Sequence, residues 1–200
     1  MKFFYPARVN IIEHMNVPDS SALIEQCRAG NEQAIESLIR TYETNIFRLA
    51  FSIVQDSFTA SEITQETFLL ALKSLRTYQE KSSLKAWLYT ITVNTSKSYL
   101  RKRKTIEKLL STLTSIFQAT SQAQPSPEEF VLQNERDEFL MKALDKLDEK
   151  HRMVVLLRYF QDLSVTEISE ILSVSEGTIH SRLHYAREKL RENLSRFHGE

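Results

Sequence analysis

The sequence predicts an all-α fold: two small helical bundles joined by a flexible linker, the second containing a helix-turn-helix. Three observations lead there. The 200 residues include only 3 Gly and 4 Pro, and from Asp19 to Gln124 there is no Pro and one Gly, Gly30. Apolar residues recur at steps of three and four, with no alternating run of strand length. Between Ser111 and Pro127 the composition shifts to Ser, Thr, Gln, Ala and Pro, which is linker chemistry. The expected division is an N-terminal extension 1–18, a first domain 19–105, a linker 106–127 and a second domain 128–200.

In the first domain, Asp19 or Ser20 can cap a helix through Ala22, Leu23, Ile24 and Cys27 that ends near Gly30. Asn31 starts the next, with Ala34, Ile35, Leu38, Ile39 and Tyr42 inward, and another runs through Ile46, Leu49, Ala50, Ile53 and Val54. After Asp56, Thr59 opens a helix bearing Ile63, Phe68, Leu69, Ala71, Leu72 and Leu75. Ser82 or Ser83 starts the last, with Leu84, Trp87, Leu88, Ile91, Val93 and Leu100 inward. Five such stripes in about 85 residues fit one compact bundle.

The early linker keeps Leu109, Leu110, Leu113, Ile116 and Phe117, enough for a short helix. The second domain opens with Phe139, Leu140, Ala143, Leu144 and Leu147, then Val154 to Tyr159. From Asp162 to Leu194 a helix-turn-helix is legible. Ser164 and Glu167 form a capping-box pair, and Val165, Ile168, Ile171 and Leu172 make an apolar face. After a turn at Ser173–Ser175, Ser175 can cap a second helix, and Gly177 keeps its first turn slim where a phosphate can sit. Ile179, Leu183, Ala186, Leu190 and Leu194 form the inner stripe. Left over are Thr178, His180, Ser181, Arg182, Tyr185, Arg187 and Lys189, groups able to reach phosphates and base edges. Such a pair also suits a plain helical bundle with a solvated basic face; the turn chemistry and the basic bias of the last helix favour DNA.

The formal net charge is zero, from 26 basic and 26 acidic residues, but its distribution is uneven. Lys97, Arg101, Lys102, Arg103, Lys104 and Lys108 are opposed only by Glu107, while acid gathers at Glu62, Glu66 and from Glu128 to Glu149. Basic patches in a neutral chain imply DNA contact shared with a larger partner that neutralises most of the phosphates. The single cysteine, Cys27, excludes an internal disulfide and fits a reducing cytoplasm. The N-terminal stretch has no apolar run of signal or membrane length, so a cytoplasmic protein without membrane insertion is expected. The helical pattern starts only after Pro18, which makes Met15 a candidate start. His180 and His184 stand at metal-binding spacing but lack a third ligand, and there is no Gly-rich phosphate loop or Ser-His-Asp context. No metal, cofactor or catalytic site is expected.

The loop Thr77–Ser83 and the helix after it bring Tyr78, Trp87, Tyr89, Asn94, Lys97 and Tyr99 beside the basic run. Aromatic groups among cations can stack unpaired bases, at roughly 1–3 kcal/mol per base. Trp87 and Tyr89 cannot face the same side, and Trp87 is the one expected in the core.

Three segments, ITQETFLLALKSL (63–75), AWLY (86–89) with VNTSKSYL (93–100), and EGTIHSRLHYAREKL (176–190), resemble in this order the bacterial RNA polymerase sigma factors of the extracytoplasmic-function (ECF) class. These are the small type with regions two and four only, and the resemblance spans nearly all of Asp19 to Leu194. It implies a protein that binds core RNA polymerase, directs it to promoter DNA, helps melt the minus-ten region, and is restrained by an anti-sigma factor. The polymerase-docking motif then falls on Glu62, Gln65 and Glu66, with Glu62 in place of the usual Asp. Minus-ten recognition, by flipping a base into a pocket, falls on Tyr78, Ser82, Ser83, Asn94, Lys97 and Arg101. Minus-thirty-five recognition falls on Ser175, Glu176, Thr178, His180, Ser181, Arg182, Tyr185 and Arg187.

The chain departs from the family pattern at three further positions. His180 stands where the family often has Lys or Arg, and Tyr185 where it often has Arg, so the DNA sequence read here cannot be copied from relatives. Ser173 stands where the turn usually has Gly, at a cost of roughly 1–2 kcal/mol if φ is positive there. Two rivals are a stand-alone helix-turn-helix regulator, dimeric on a palindrome, and a helical interaction protein with no DNA role.

Overall fold

The computed structural model describes residues 20–79, 83–116 and 142–195. The N-terminal extension, Ser82, Phe117, Phe139 and Leu140 lie outside the described residues. Within them, every regular element is helical.

Helix α1 (Ser20–Arg28) gives way at Gly30, whose φ of +79° suits the residue without a Cβ. Helix α2 (Glu32–Val54) starts where Asn31 Oδ1 accepts the Ala34 N–H at 3.1 Å. It is one helix of 23 residues, not the two expected, because no Gly or Pro interrupts it and its stripe is continuous. Helix α3 (Ser57–Ser74) is capped by Asp56, whose Oδ2 accepts the Thr59 N–H at 2.7 Å, and runs into a 3₁₀ turn, Leu75–Thr77. Helix α4 (Leu84–Ile116) opens with Ser83 Oγ accepting the Ala86 N–H at 3.1 Å. It runs 33 residues without a break, so the first part of the expected linker is a continuation of α4 and the basic run is helical.

After residues 142–145, a helical segment, Asp148 caps α5 (Glu149–Val155) through the His151 N–H at 3.1 Å. Leu156–Phe160 form a π turn that brings the chain round to Asp162, at φ +51°. Helix α6 (Val165–Leu172) carries the expected capping box: the Glu167 N–H donates to Ser164 Oγ at 3.1 Å, and Ser164 N–H donates to Glu167 Oε2 at 2.8 Å. Burial acts against the Glu167 carboxylate, but these bonds from Ser164, aided by Lys85, outweigh it and hold the group below its ordinary range. Helix α7 (Glu176–Ser195) follows, with Ser175 Oγ accepting the Thr178 N–H at 3.2 Å.

Two apolar cores result. One joins Leu23, Ile24 and Cys27 of α1 to Leu38 and Ile46 of α2, Phe68 of α3 and Leu88 of α4. The other crosses from one bundle to the other: Leu49, Ile53, Tyr89 and Val93 pack with Leu144, Val154, Leu157, Ile168, Ile179 and Leu183. At roughly 1.5–3 kcal/mol for each large side chain fully buried, this seam is a substantial part of the fold. Tyr89 is 1% exposed and donates its hydroxyl to Gln161 Oε1 at 3.3 Å. Trp87 is half-buried against the first core, so the two aromatics do take different sides of α4, but Tyr89 is the more deeply buried because the seam takes its side.

Ser173 adopts φ +54°, ψ +46°, the left-handed conformation in which a Cβ is crowded. Ser173→Gly is therefore expected to raise the unfolding free energy by about 0.5–1 kcal/mol in urea titrations, and an unchanged midpoint would refute strain at this turn.

Candidate nucleic-acid interface

The second helix of the helix-turn-helix, α7, turns its Ile179–Leu183–Ala186 stripe inward, all three buried. At 100° per residue the rest of the helix divides into flanks. Ser181 and Gly177 lie opposite the stripe, and His180 and Arg187 take one flank, all four exposed. Thr178, Arg182 and Tyr185 take the other, which faces α5 and the first bundle. A Cβ at Gly177 would meet only Ser175 Oγ at 3.9 Å, so nothing inside the fold demands glycine there. Glu176 accepts from the Thr166 hydroxyl at 2.7 Å, which ties the start of α7 to α6. Tyr185 stacks on His151 with ring centroids 4.2 Å apart, and Arg187 donates back to the Leu183 carbonyl at 3.3 Å.

Arg182 enters an open cleft of about 460 Å³ shared with Lys97 of α4, together with Asp148, Glu149, Lys150 and Leu172. The structure thus brings one residue of the minus-ten set and one of the minus-thirty-five set together. Burial pushes the Lys97 ammonium below its ordinary pKa; Glu149 opposes that shift, while Arg182 and Arg101 add to it. On the same helix Asn94 and Arg101 are exposed, as are Lys102, Arg103 and Lys104. Tyr78 is 7% exposed and packed against Trp87 at 4.5 Å between ring centroids, so its ring supports the start of α4 rather than presenting a stacking surface.

Helix α3 has a different character. Its inner side buries Ile63, Phe68 and Ala71. On its outer side stand Glu62, Gln65 and Glu66, all exposed, between Phe58 at 71% and Leu69 at 59% exposure. Leu69 is therefore not a core residue, contrary to expectation. Phe58, Glu62, Gln65, Glu66 and Leu69 succeed one another at steps of four, three, one and three, a single stripe. Sequence patterning missed Phe58; its signal was an aromatic in phase with the charged residues.

The Sigma-70 region 2 family model matches residues 38–106, and that of Sigma-70 region 4 matches residues 143–192. RNA polymerase sigma factor YlaC of Bacillus subtilis is 31% identical over 166 residues, spanning 83% of this chain and 95% of that protein. The chain belongs to the RNA polymerase sigma factors of the ECF class, with regions 2 and 4. The ECF sigma factor SigW of the same organism is 29% identical over 176 residues, covering 86% of this chain and 94% of that one. Among solved structures, the sigma factor RpoE in complex with the anti-sigma factor NepR from Bartonella quintana is 26% identical with a TM-score of 0.60, covering 80% of this chain and 96% of that one. CnrH in complex with the cytosolic domain of CnrY shares the fold at a TM-score of 0.64 and 22% identity, covering 87% and 96% of the two chains. As a sigma factor, this protein directs RNA polymerase to promoter DNA to begin transcription. No helix among the described residues is long and apolar enough to cross a membrane.

Because its surroundings disfavour the Lys97 cation, Lys97→Met is expected to raise the unfolding temperature. A lower unfolding temperature would mean that Glu149 more than offsets the burial of the ammonium.

Proposed function

We propose that three surfaces of this sigma factor divide the work of initiation. The α3 stripe docks on core polymerase through Glu62, Gln65 and Glu66, with Phe58 and Leu69 as apolar anchors at its ends. The exposed acid between exposed apolar groups is the observation that carries this reading, since a helix face of that kind suits an interface in which charge sets register and apolar area sets affinity. The α4 surface of Ser83, Asn94, Lys97 and Arg101 holds the melted minus-ten strand, with Tyr78 supporting it from within. The start and flanks of α7, from Ser175, Glu176 and Thr178 through His180, Ser181 and Arg182 to Tyr185 and Arg187, read the minus-thirty-five duplex. This chain carries out no bond chemistry of its own; the polymerase does. It works in the cytoplasm, and an anti-sigma partner like that bound to RpoE restrains it.

The two DNA surfaces cannot act together in the packed arrangement. Elements named minus-ten and minus-thirty-five lie about 25 base pairs apart, which at 3.4 Å per base pair is about 85 Å. Lys97 and Arg182 line one cleft. The bundles must therefore separate on the promoter, and the 25 residues 117–141 can reach about 90 Å when extended. Fluorophores at the exposed positions Lys102 and Arg191 are expected to lose energy transfer when polymerase and promoter are added; unchanged transfer would refute the separation.

Run-off transcription with core polymerase on the DNA upstream of the gene separates the surfaces. Glu66→Lys is expected to abolish co-elution with the polymerase. Arg182→Ala should retain it and weaken promoter selection by about 1–3 kcal/mol, the scale of one good base contact. Full initiation by either variant would remove that residue from its role.

A further inference from the structure

Helix α1 lies outside the residues matched by the region 2 family model, which begin at 38. Its last residue reaches into region 2 nevertheless. Arg28 donates from Nε to the Leu75 carbonyl at 3.1 Å and from Nη2 to the Tyr78 carbonyl at 2.6 Å, while Nη1 pairs with Glu25. These carbonyls sit where α3 has run out into its 3₁₀ turn, and a helix end leaves such groups without intrahelical partners. The Tyr78 N–H also returns to the Leu75 carbonyl, at 3.3 Å. A planar guanidinium can serve both acceptors in one geometry; an ammonium on a flexible stem cannot hold the pair in the same register.

Tyr78 is thereby held from two sides. Its main chain is fixed by Arg28 and its ring by Trp87, 4.5 Å away in the first turn of α4. That turn is itself pinned by Ser83, whose Oγ accepts the Ala86 N–H at 3.1 Å and whose carbonyl accepts the Trp87 N–H at 3.0 Å. The contacts run Arg28, Tyr78, Trp87, Ser83, and end on the α4 surface that carries Asn94 and Lys97. Anchoring α1 does not require the arginine, because Leu23, Ile24 and Cys27 already bury it against the first core. Its bonds go instead to the Leu75 and Tyr78 carbonyls.

We propose that Arg28 is a positioning residue for minus-ten recognition: by fixing the Leu75 and Tyr78 carbonyls it sets where the beginning of α4 presents Ser83 to the melted strand. This rests on the minus-ten reading given above, and the test separates the two. Holoenzymes carrying the wild-type chain or Arg28→Met are compared for open-complex formation on the native promoter and on templates with one abasic site at each minus-ten position in turn. With wild type, the position read most strongly should show a loss of about tenfold. Arg28→Met should already have lost about that factor on the native promoter and lose little more on the abasic template, the coupling expected of groups acting as a unit. Arg28→Lys should behave like Arg28→Met, and Glu25→Gln, which leaves both carbonyl bonds in place, like wild type.

If Arg28→Met loses the same factor as wild type on the abasic template, the residue is merely structural and the proposal fails. If wild type is indifferent to abasic sites throughout the minus-ten element, the minus-ten reading fails and this inference with it. Should Arg28→Met not fold, as judged by its thermal transition, Arg28→Lys decides the question by the same comparison.

Discussion

Tyr89 projects from the second turn of α4 into a core that neither bundle closes alone. Leu49, Ile53 and Val93 of the first bundle share this core with Leu157, Ile168 and Leu183 of the second. A phenol at 1% exposure needs a partner for its hydroxyl, and Gln161, at the end of the π turn, supplies one. Ionisation there is strongly disfavoured: burial chiefly, with Tyr42 and Glu167 adding and Arg48 opposing, pushes the hydroxyl up to about 12. The two halves are thus held together by an apolar seam with a small polar lock, reinforced at its edge where Gln55 donates to Asp145 at 3.3 Å.

That seam explains the unusual electrostatics nearby. Closing it carries Lys97 and Arg182, two cations proposed to meet DNA, into one cleft with Asp148 and Glu149. Glu149 compensates Lys97 only in part, since burial and like charge still leave the ammonium disfavoured. The packed state is stabilised by apolar burial and weakened by these cations. A polyanion that drew Lys97 and Arg182 apart would relieve the second effect while giving up the first. In the proposed separation, binding and opening are linked by that balance: DNA can shift the arrangement only by as much as it prefers the open form.

Much of the local structure was legible from short stretches of chain. Asn31, Ser83, Ser164 and Ser175 cap helices because a side-chain oxygen near an unpaired N–H needs no distant partner. The left-handed turn at Ser173 was likewise a local requirement. What patterning misassigned depended on distant neighbours. Leu69 fits an apolar stripe, yet no element among the described residues covers its side of α3. Trp87 is the larger apolar group, yet the second bundle packs on the Tyr89 side. The break expected within α2 had no breaker residue behind it, and the structure has none.

The sequence by itself determined the all-α class, the order of the two regions and the helix-turn-helix, and it supplied the residues proposed to meet polymerase and DNA, because these follow from periodicity, capping and motifs within a few tens of residues. Only the tertiary structure decided that the bundles share a core, that Lys97 and Arg182 meet in one cleft, and that Arg28 reaches carbonyls 47 and 50 residues away. Contacts of that kind arise from which apolar faces find one another on folding. A main-chain carbonyl, identical in every residue, leaves no mark in the sequence to show which arginine it will meet.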